Sequence, residues 1–172
     1  MKTYPNKFGF SVSYTTRQPR ANEKHGVDYF FVEKDTFEKE VQKNKFIEHN
    51  KVHDNYYGTH RDVVASIVNS GKICILDIDV NGVKMALTNG LIVGNRMFIE
   101  PPSLDILKKR LETRALDSKE TIEKRVRNAA KEIELAHALN IFHVFVRNED
   151  KDLFIQDCVG LIEDWYPFIK NK

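Results

Sequence analysis

The run KICILDIDV, residues 72–80, is almost wholly apolar and ends in two aspartates, Asp77 and Asp79. A run so short and without alternation has the pattern of a parallel strand buried on both faces. Parallel strands are joined by crossovers, usually helices, so this segment calls for helices around it. Upstream, HRDVVASIVNS places Val63, Val64, Ile67 and Val68 at helical spacing and stops at Gly71. Downstream, RMFIE (96–100) and HVFVR (143–147) are further short strands with helical sequence between them. Ser103 is placed to cap LDILKKRLETR, with Leu104, Leu107 and Leu111 on one face. Asp117 and Glu120 read as a capping box for a long helix that turns Ile122, Val126, Ala129, Ile133 and Ala136 inward. A last helix, from about Asp152, carries Phe154, Cys158, Leu161, Ile162 and Trp165. Strands alternating with helices predict an α/β fold built on a parallel sheet.

The N-terminal part reads differently. Phe8, Phe10 and Val12 alternate as in a strand, and SVSYTTRQPR (11–20) then runs into threonines and two arginines, Arg17 and Arg20, set around a proline. Hydroxyls and guanidinium groups at a strand end suit an anion, because the planar fork pairs bidentately with phosphate or carboxylate. Residues 29–58, with DYFFVE, a short helix opened by Asp35 and Glu38, KFIEH and NYYGT, predict a small strand-rich insertion forming one wall of a cleft over the sheet.

A chain of 172 residues fits one domain, and 41% hydrophobic with 30% charged residues is an ordinary globular balance. A net charge of +2 leaves no bulk field that would demand nucleic acid or a membrane surface. Cys74 and Cys158 lie inside apolar patterns and read as reduced buried thiols. With no apolar span and no signal-peptide core, the expected location is the cytoplasm. His25, His49, His53 and His60 lack metal-ligand spacing and read as surface residues.

In an open α/β sheet, ligands bind outside the carboxyl ends of the strands. Ser13 to Arg20, Asp77 with Asp79, and Asn148 occupy such ends. Together with FGFSVSYTTRQPR, GVDYFFV, FIEH, NYYGT, GKICILDIDVNGVK, IEPPS, KKRLETR and EKRV, in that order over essentially the whole chain, they resemble guanylate kinase. The resemblance implies a single domain. Its core would be a P-loop-kinase-like parallel sheet flanked by helices (1–28, 60–102 and 139–172). A small mixed β GMP-binding insertion (29–59) and a helical lid (103–138) would complete it.

The resemblance also implies ATP-dependent, Mg2+-assisted phosphorylation of GMP or dGMP, with small-molecule partners only and a monomer, or a dimer, as the acting form. GMP would be bound by Ser13, Arg17, Arg20, Tyr29, Glu48, Tyr57, Gly58, Thr59 and Asp77. Arg17 and Arg20, with Tyr29 and Tyr57, would hold its phosphate. Glu48 would accept the two adjacent donors of guanine, Ser13 and Asp77 would help at the base, and Thr59 would serve O6. Adenine presents the wrong pattern and would leave Glu48 unpaired, a strong basis for rejection. Catalysis would rest on Arg17, Asp77, Asp79, Arg110, Arg114 and Arg125, and ATP on Arg110, Arg114 and Asn148, with no direct protein ligand to the metal.

Taken singly, Arg17 and Arg20 would be solvated turn residues, the basic residues of KKRLETR the wet face of a helix, and Asn148 equally a turn residue. Their joint order carries the resemblance. Two departures stand beside it. After Arg114 the loop reads ALDSKE, where the family has a glycine-threonine-glutamate-threonine run. The P-loop sequence G-x-x-x-x-G-K-[ST] is absent. The family carries it upstream, after a first strand that lies between those of CILDID and RMFIE and before a helix, so the chain is expected to be a guanylate kinase from its second strand onward. The alternative is a catalytically inactive guanylate-kinase-like module that binds GMP or a phosphopeptide.

Overall fold

The computed structural model describes residues 3–52, 54–90, 94–114 and 117–170. It is an α/β fold in two compact units, Met1–Ile92 and Val93–Lys172.

In the first unit, strand β1 (Phe8–Phe10) runs parallel to β6 (Ile73–Ile75), with Phe8 opposite Ile73 and Phe10 opposite Ile75. Between them in sequence lies a mixed four-stranded sheet in the order β3-β2-β5-β4, made of β2 (Tyr14–Thr15), β3 (Phe30–Phe31), β4 (Phe46–Val52) and β5 (Asn55–His60). β4 and β5 are antiparallel, with Glu48 opposite Thr59 and Asn50 opposite Tyr57. Helix α1 (Lys34–Gln42) seals this sheet through Phe37, which is fully buried and stacks on Phe46 at 4.4 Å and on Tyr56 at 5.4 Å between ring centroids. Helix α2 (Arg61–Asn69) follows β5 directly and gives way to Gly71, whose φ of 74° is the left-handed turn conformation glycine tolerates. Helix α3 (Val80–Thr88) packs on β4 and buries Val80, Val83 and Ala86.

In the second unit, β7 (Met97–Glu100) and β8 (Val144–Arg147) form a parallel pair. Helices α4 (Leu104–Arg114) and α5 (Lys119–Leu139) pack on each other, with Leu111, Ile122 and Ala136 buried. Helix α6 (Lys151–Trp165) is capped by Asp150, which accepts from the Asp152 and Leu153 N–H groups, and a 3-10 turn (Pro167–Lys170) buries Ile169.

Several sequence expectations change. The apolar run at 72–80 narrows to a strand of three residues, and Ile73, Cys74 and Ile75 are half-buried. Among the described residues β6 has one strand neighbour, and the strands expected to share one parallel sheet fall into separate pairs, β1 with β6 and β7 with β8. The long α5 is capped by Ser118, whose hydroxyl accepts from Thr121 N–H, while Asp117 pairs with Arg125 at 2.7 Å. Helix α1 begins after Glu33, so Asp35 sits in its first turn. His60 is buried, not a surface residue: its ring stacks on Tyr14 and its Nδ1 accepts from Asp62 N–H to cap α2. His53, and Ala115 and Leu116 of the ALDSKE loop, lie outside the described residues. No helix among the described residues is long and apolar enough to cross a membrane.

Candidate functional site

Strand alternation builds the site. From Glu48 onward, Glu48, Asn50 and Val52 share one face of β4, and that face lines a cleft of about 170 Å³. Its other walls are Ser13, Tyr29, Tyr57 and Gly58, and the segment Asp77–Ile78–Asp79 that leads from β6 into α3. Seven residues singled out from sequence (Ser13, Tyr29, Glu48, Tyr57, Gly58, Asp77 and Asp79) are therefore brought together in the first unit.

At one end the cleft is lined by carboxylates. Glu48 is 6% exposed, and its Oε1 accepts the Thr59 hydroxyl at 2.6 Å. Burial pushes its carboxyl above the ordinary range, neighbouring Asp79 adds to this, and the Thr59 hydrogen bond opposes it. Asp79 Oδ1 accepts Gly82 N–H at 2.7 Å, capping α3, and Oδ2 accepts the Asn50 side-chain amide at 2.8 Å. Thr59 itself is buried behind Glu48, with its hydroxyl proton engaged there. Gly58 is required by close approach: a Cβ would lie 2.8 Å from the Phe46 ring and 2.9 Å from the Glu48 carbonyl oxygen.

Guanidinium and phenol groups gather around Tyr29 and Tyr57. The Arg17 guanidinium lies 5.4 Å from the Tyr29 ring centroid and 5.8 Å from that of Phe31, and Tyr29 meets Tyr57 edge-on at 6.0 Å. Arg17 Nη2 donates to Glu23 Oε1 at 2.8 Å, and Glu23 Oε2 accepts the Arg20 N–H at 2.8 Å. The Arg17 bond holds the Glu23 carboxyl below the ordinary range, and the same bond raises the Arg17 value. Burial raises the Tyr29 hydroxyl, which stays a neutral donor. Arg20 sits on the same turn with its side chain 62% exposed, 4.0 Å from Glu23.

The sequence reading missed two residues, Glu23 and Asn50. Asn50 was signalled by its position two residues after Glu48, on the same strand face. The signal for Glu23 was a carboxylate three residues beyond Arg20 in a turn, where its N–H returns to the Arg20 carbonyl at 3.0 Å.

Within the second unit, Arg110 Nη2 donates to the Glu149 carbonyl at 2.9 Å, which sets it beside Asn148. Asn148 N–H donates to the Glu100 carbonyl at 2.8 Å, just past the β7–β8 ladder. Arg114 is exposed at the end of α4, and Arg125 on α5 is held by Asp117. Among the described residues no group of three or more His, Cys, Asp or Glu side chains could cage a metal.

The α/β framework thus bears a cleft with one buried carboxylate, Glu48, a half-buried one, Asp79, and a guanidinium set on aromatic rings at its flank. The guanylate kinase family model matches residues 1–164, and the chain belongs to the guanylate kinase family. It is 44% identical to guanylate kinase 1 of Oryza sativa subsp. japonica over 162 residues, 94% of this chain and 42% of that protein. It is 40% identical to guanylate kinase 1 of Arabidopsis thaliana, over 99% of this chain and 41% of that one. The guanylate kinase of Rickettsia bellii is 39% identical over 85% of this chain and 75% of its own length. The chain thus spans about two fifths of the length of the plant relatives it matches. The crystal structure of guanylate kinase from Anaplasma phagocytophilum superimposes with a TM-score of 0.70 at 28% identity, covering 95% of this chain and 79% of that one.

Proposed function

We propose that this chain takes GMP or dGMP in the first-unit cleft and serves ATP-dependent phosphoryl transfer to it, as part of a guanylate kinase. The observation that carries this reading is the Glu48 carboxylate, buried, fixed by Thr59 at 2.6 Å, and facing a cleft also lined by Tyr29 and Tyr57, beside Arg17. Ionised Glu48 accepts N1–H and the 2-amino group of guanine; adenine offers no such pair. Arg17 and Arg20, with the Tyr29 and Tyr57 hydroxyls, take the phosphate, and Glu23 aims Arg17 at it. Ser13 and Asp77 complete the walls.

In the reaction a phosphate oxygen of GMP attacks the γ-phosphorus of ATP as the bond to the departing ADP breaks. The protein's share is positioning and charge neutralisation. Arg110, Arg114 and Arg125 are the cations offered to the transferring phosphates, and Asn148 the group offered to adenine. Mg2+ prefers hard oxygen donors and keeps several waters, so Asp77, exposed in the cleft, is the residue suited to serve it through water, while the ion supplies charge neutralisation. Two unpaired, half-buried thiols, Cys74 and Cys158, support a reducing, cytoplasmic setting. The acting form is taken as a monomer.

Calorimetric titration with GMP and with AMP tests the binding half of this reading, and AMP bound as tightly as GMP counts against it. A coupled assay of ADP formation from ATP, Mg2+ and GMP, with Asp77→Ala as the contamination control, tests the transfer half. Turnover that persists undiminished in the control would not belong to this chain.

A further inference from the structure

We infer that Asn50 is a positioning residue for base discrimination: its side-chain amide fixes the Asp79 carboxylate as a second acceptor beside Glu48, tuned to the 2-amino group of guanine. This rests on the proposal that the cleft receives GMP, and extends it to a residue that reading does not include.

Asn50 lies two residues beyond Glu48 on the cleft-lining face of β4, half-buried, opposite Tyr57. An ionised carboxylate only accepts, so the Asn50 atom 2.8 Å from Asp79 Oδ2 is the amide nitrogen, which fixes the orientation of the side chain. The other Asp79 oxygen accepts Gly82 N–H at 2.7 Å. Both oxygens are thus held by neutral donors, one on a strand and one at a helix start, and each retains a further lone-pair direction. Asp79 sits close to Glu48: Glu48 Oε2 and Asp79 Oδ1 lie 3.0 and 3.2 Å from the single point where a Gly82 Cβ would stand.

Two carboxylates this close repel one another, and Asp79 contributes to the raised proton affinity of Glu48. A ligand edge bearing two adjacent donors relieves that repulsion, one bearing a single donor relieves less, and one bearing acceptors worsens it. Guanine has N1–H and the 2-amino group; hypoxanthine has N1–H alone. Without the Asn50 amide, Asp79 keeps its helix-cap bond but is free to turn about it, and the second acceptor is lost while Glu48 and Thr59 stay in place. Asn50 touches neither Glu48 nor the arginine turn in the hydrogen-bond pattern, so its removal spares the rest of the cleft.

The test is calorimetric titration of the full chain, as wild type, Asn50→Ala and the near-isosteric Asn50→Asp, with GMP, IMP and AMP, alongside thermal unfolding. Wild type is expected to prefer GMP to IMP and IMP to AMP. Asn50→Ala should weaken GMP about tenfold, the scale of one hydrogen bond to a charged group, and IMP about twofold or less, so that the preference for GMP over IMP collapses. Asn50→Asp, which keeps the shape but replaces the donor by a charge facing Asp79, should lose the preference at least as fully. Equal weakening of GMP and IMP would assign Asn50 to the fold and overturn the inference. Unchanged GMP binding, or a preference kept in Asn50→Asp, would also overturn it. Failure of wild type to prefer GMP over AMP would instead remove the underlying reading, and the inference with it.

Discussion

Thr59 and Glu48 face each other across β5 and β4, and the Thr59 hydroxyl donates to Glu48 Oε1 at 2.6 Å. The bond orders the one buried carboxylate of the cleft before any ligand arrives, so little rotamer freedom is left to lose on binding. It also engages the one hydroxyl proton of Thr59, and a hydroxyl donated to guanine O6 would have to give Glu48 up. Serving O6, the role that the family resemblance implies for Thr59, therefore requires the hydroxyl to turn from Glu48 to the base on binding.

Glu48→Gln replaces one acceptor of the pair by a donor and removes the charge. It should weaken GMP by about 1.5–3 kcal/mol and leave AMP nearly unchanged, contracting the selectivity between them. Parallel titrations with both nucleotides decide the matter, and intact selectivity would remove Glu48 from base recognition.

A dependence on pH follows from burial of the same group. The Glu48 carboxyl is raised above its ordinary value of 4.5, chiefly by desolvation, so the ionised acceptor becomes populated only at higher pH. Guanosine is the right probe, because it lacks the phosphate that itself titrates near about pH 6. Its affinity should rise with pH above about 4.5 and level off past the raised value; in Glu48→Gln this rise should vanish. Stability runs the other way. In that window the folded chain holds more protons at Glu48 than the unfolded chain, so the Glu48 contribution to stability falls as pH rises from 4.5 through the raised value.

Arg20 offers a separate test, because its side chain is 62% exposed while Arg17 is 18% exposed and bonded to Glu23. Arg20→Ala should cost about 1.5–3 kcal/mol of GMP affinity and nothing for guanosine, as expected of one charge-assisted contact to the phosphate. A loss shared equally by guanosine would place Arg20 elsewhere. Thermal unfolding should hardly change, since an exposed pair 4.0 Å long contributes little.

Much of this was legible in the sequence because the informative residues sit at element ends, where local rules are strong. Ser103 at the start of α4 and Gly71 after α2 are examples. What could not be read is long-range. Whether the run at 72–80 pairs along its length depends on which strands lie beside it, and only Ile73–Ile75 find a partner in β1. His60 looked like a surface histidine because stacking on Tyr14, 46 residues away in the chain, leaves no local signature. Asn50 went unnoticed for a similar reason, since its meaning comes from Asp79 across the cleft. In α5 two capping residues compete within two positions, Asp117 and Ser118, and the salt bridge to Arg125 removes Asp117 from the contest.

The tightest point of the cleft wall gives the last prediction. A Cβ on Gly58 would lie 2.8 Å from Phe46 Cδ1, 2.9 Å from the Glu48 carbonyl oxygen and 3.1 Å from His49 Cβ. The Phe46 ring cannot swing away, because it is stacked at 4.4 Å on the fully buried Phe37. The carbonyl belongs to the backbone of β4. Gly58→Ala must therefore prise β5 from β4, moving Thr59 away from Glu48. Overpacking of this kind should destabilise by about 1–3 kcal/mol and lower the thermal unfolding midpoint. GMP binding should weaken with it, even at temperatures where the chain remains folded. Gly160→Ala on α6, where a Cβ would meet nothing within 4 Å, is the control, and it should stabilise by roughly 1 kcal/mol from helix propensity alone. If Gly58→Ala left both the unfolding midpoint and GMP affinity at wild-type values, the β4–β5 contact could not be the rigid wall that fixes Glu48.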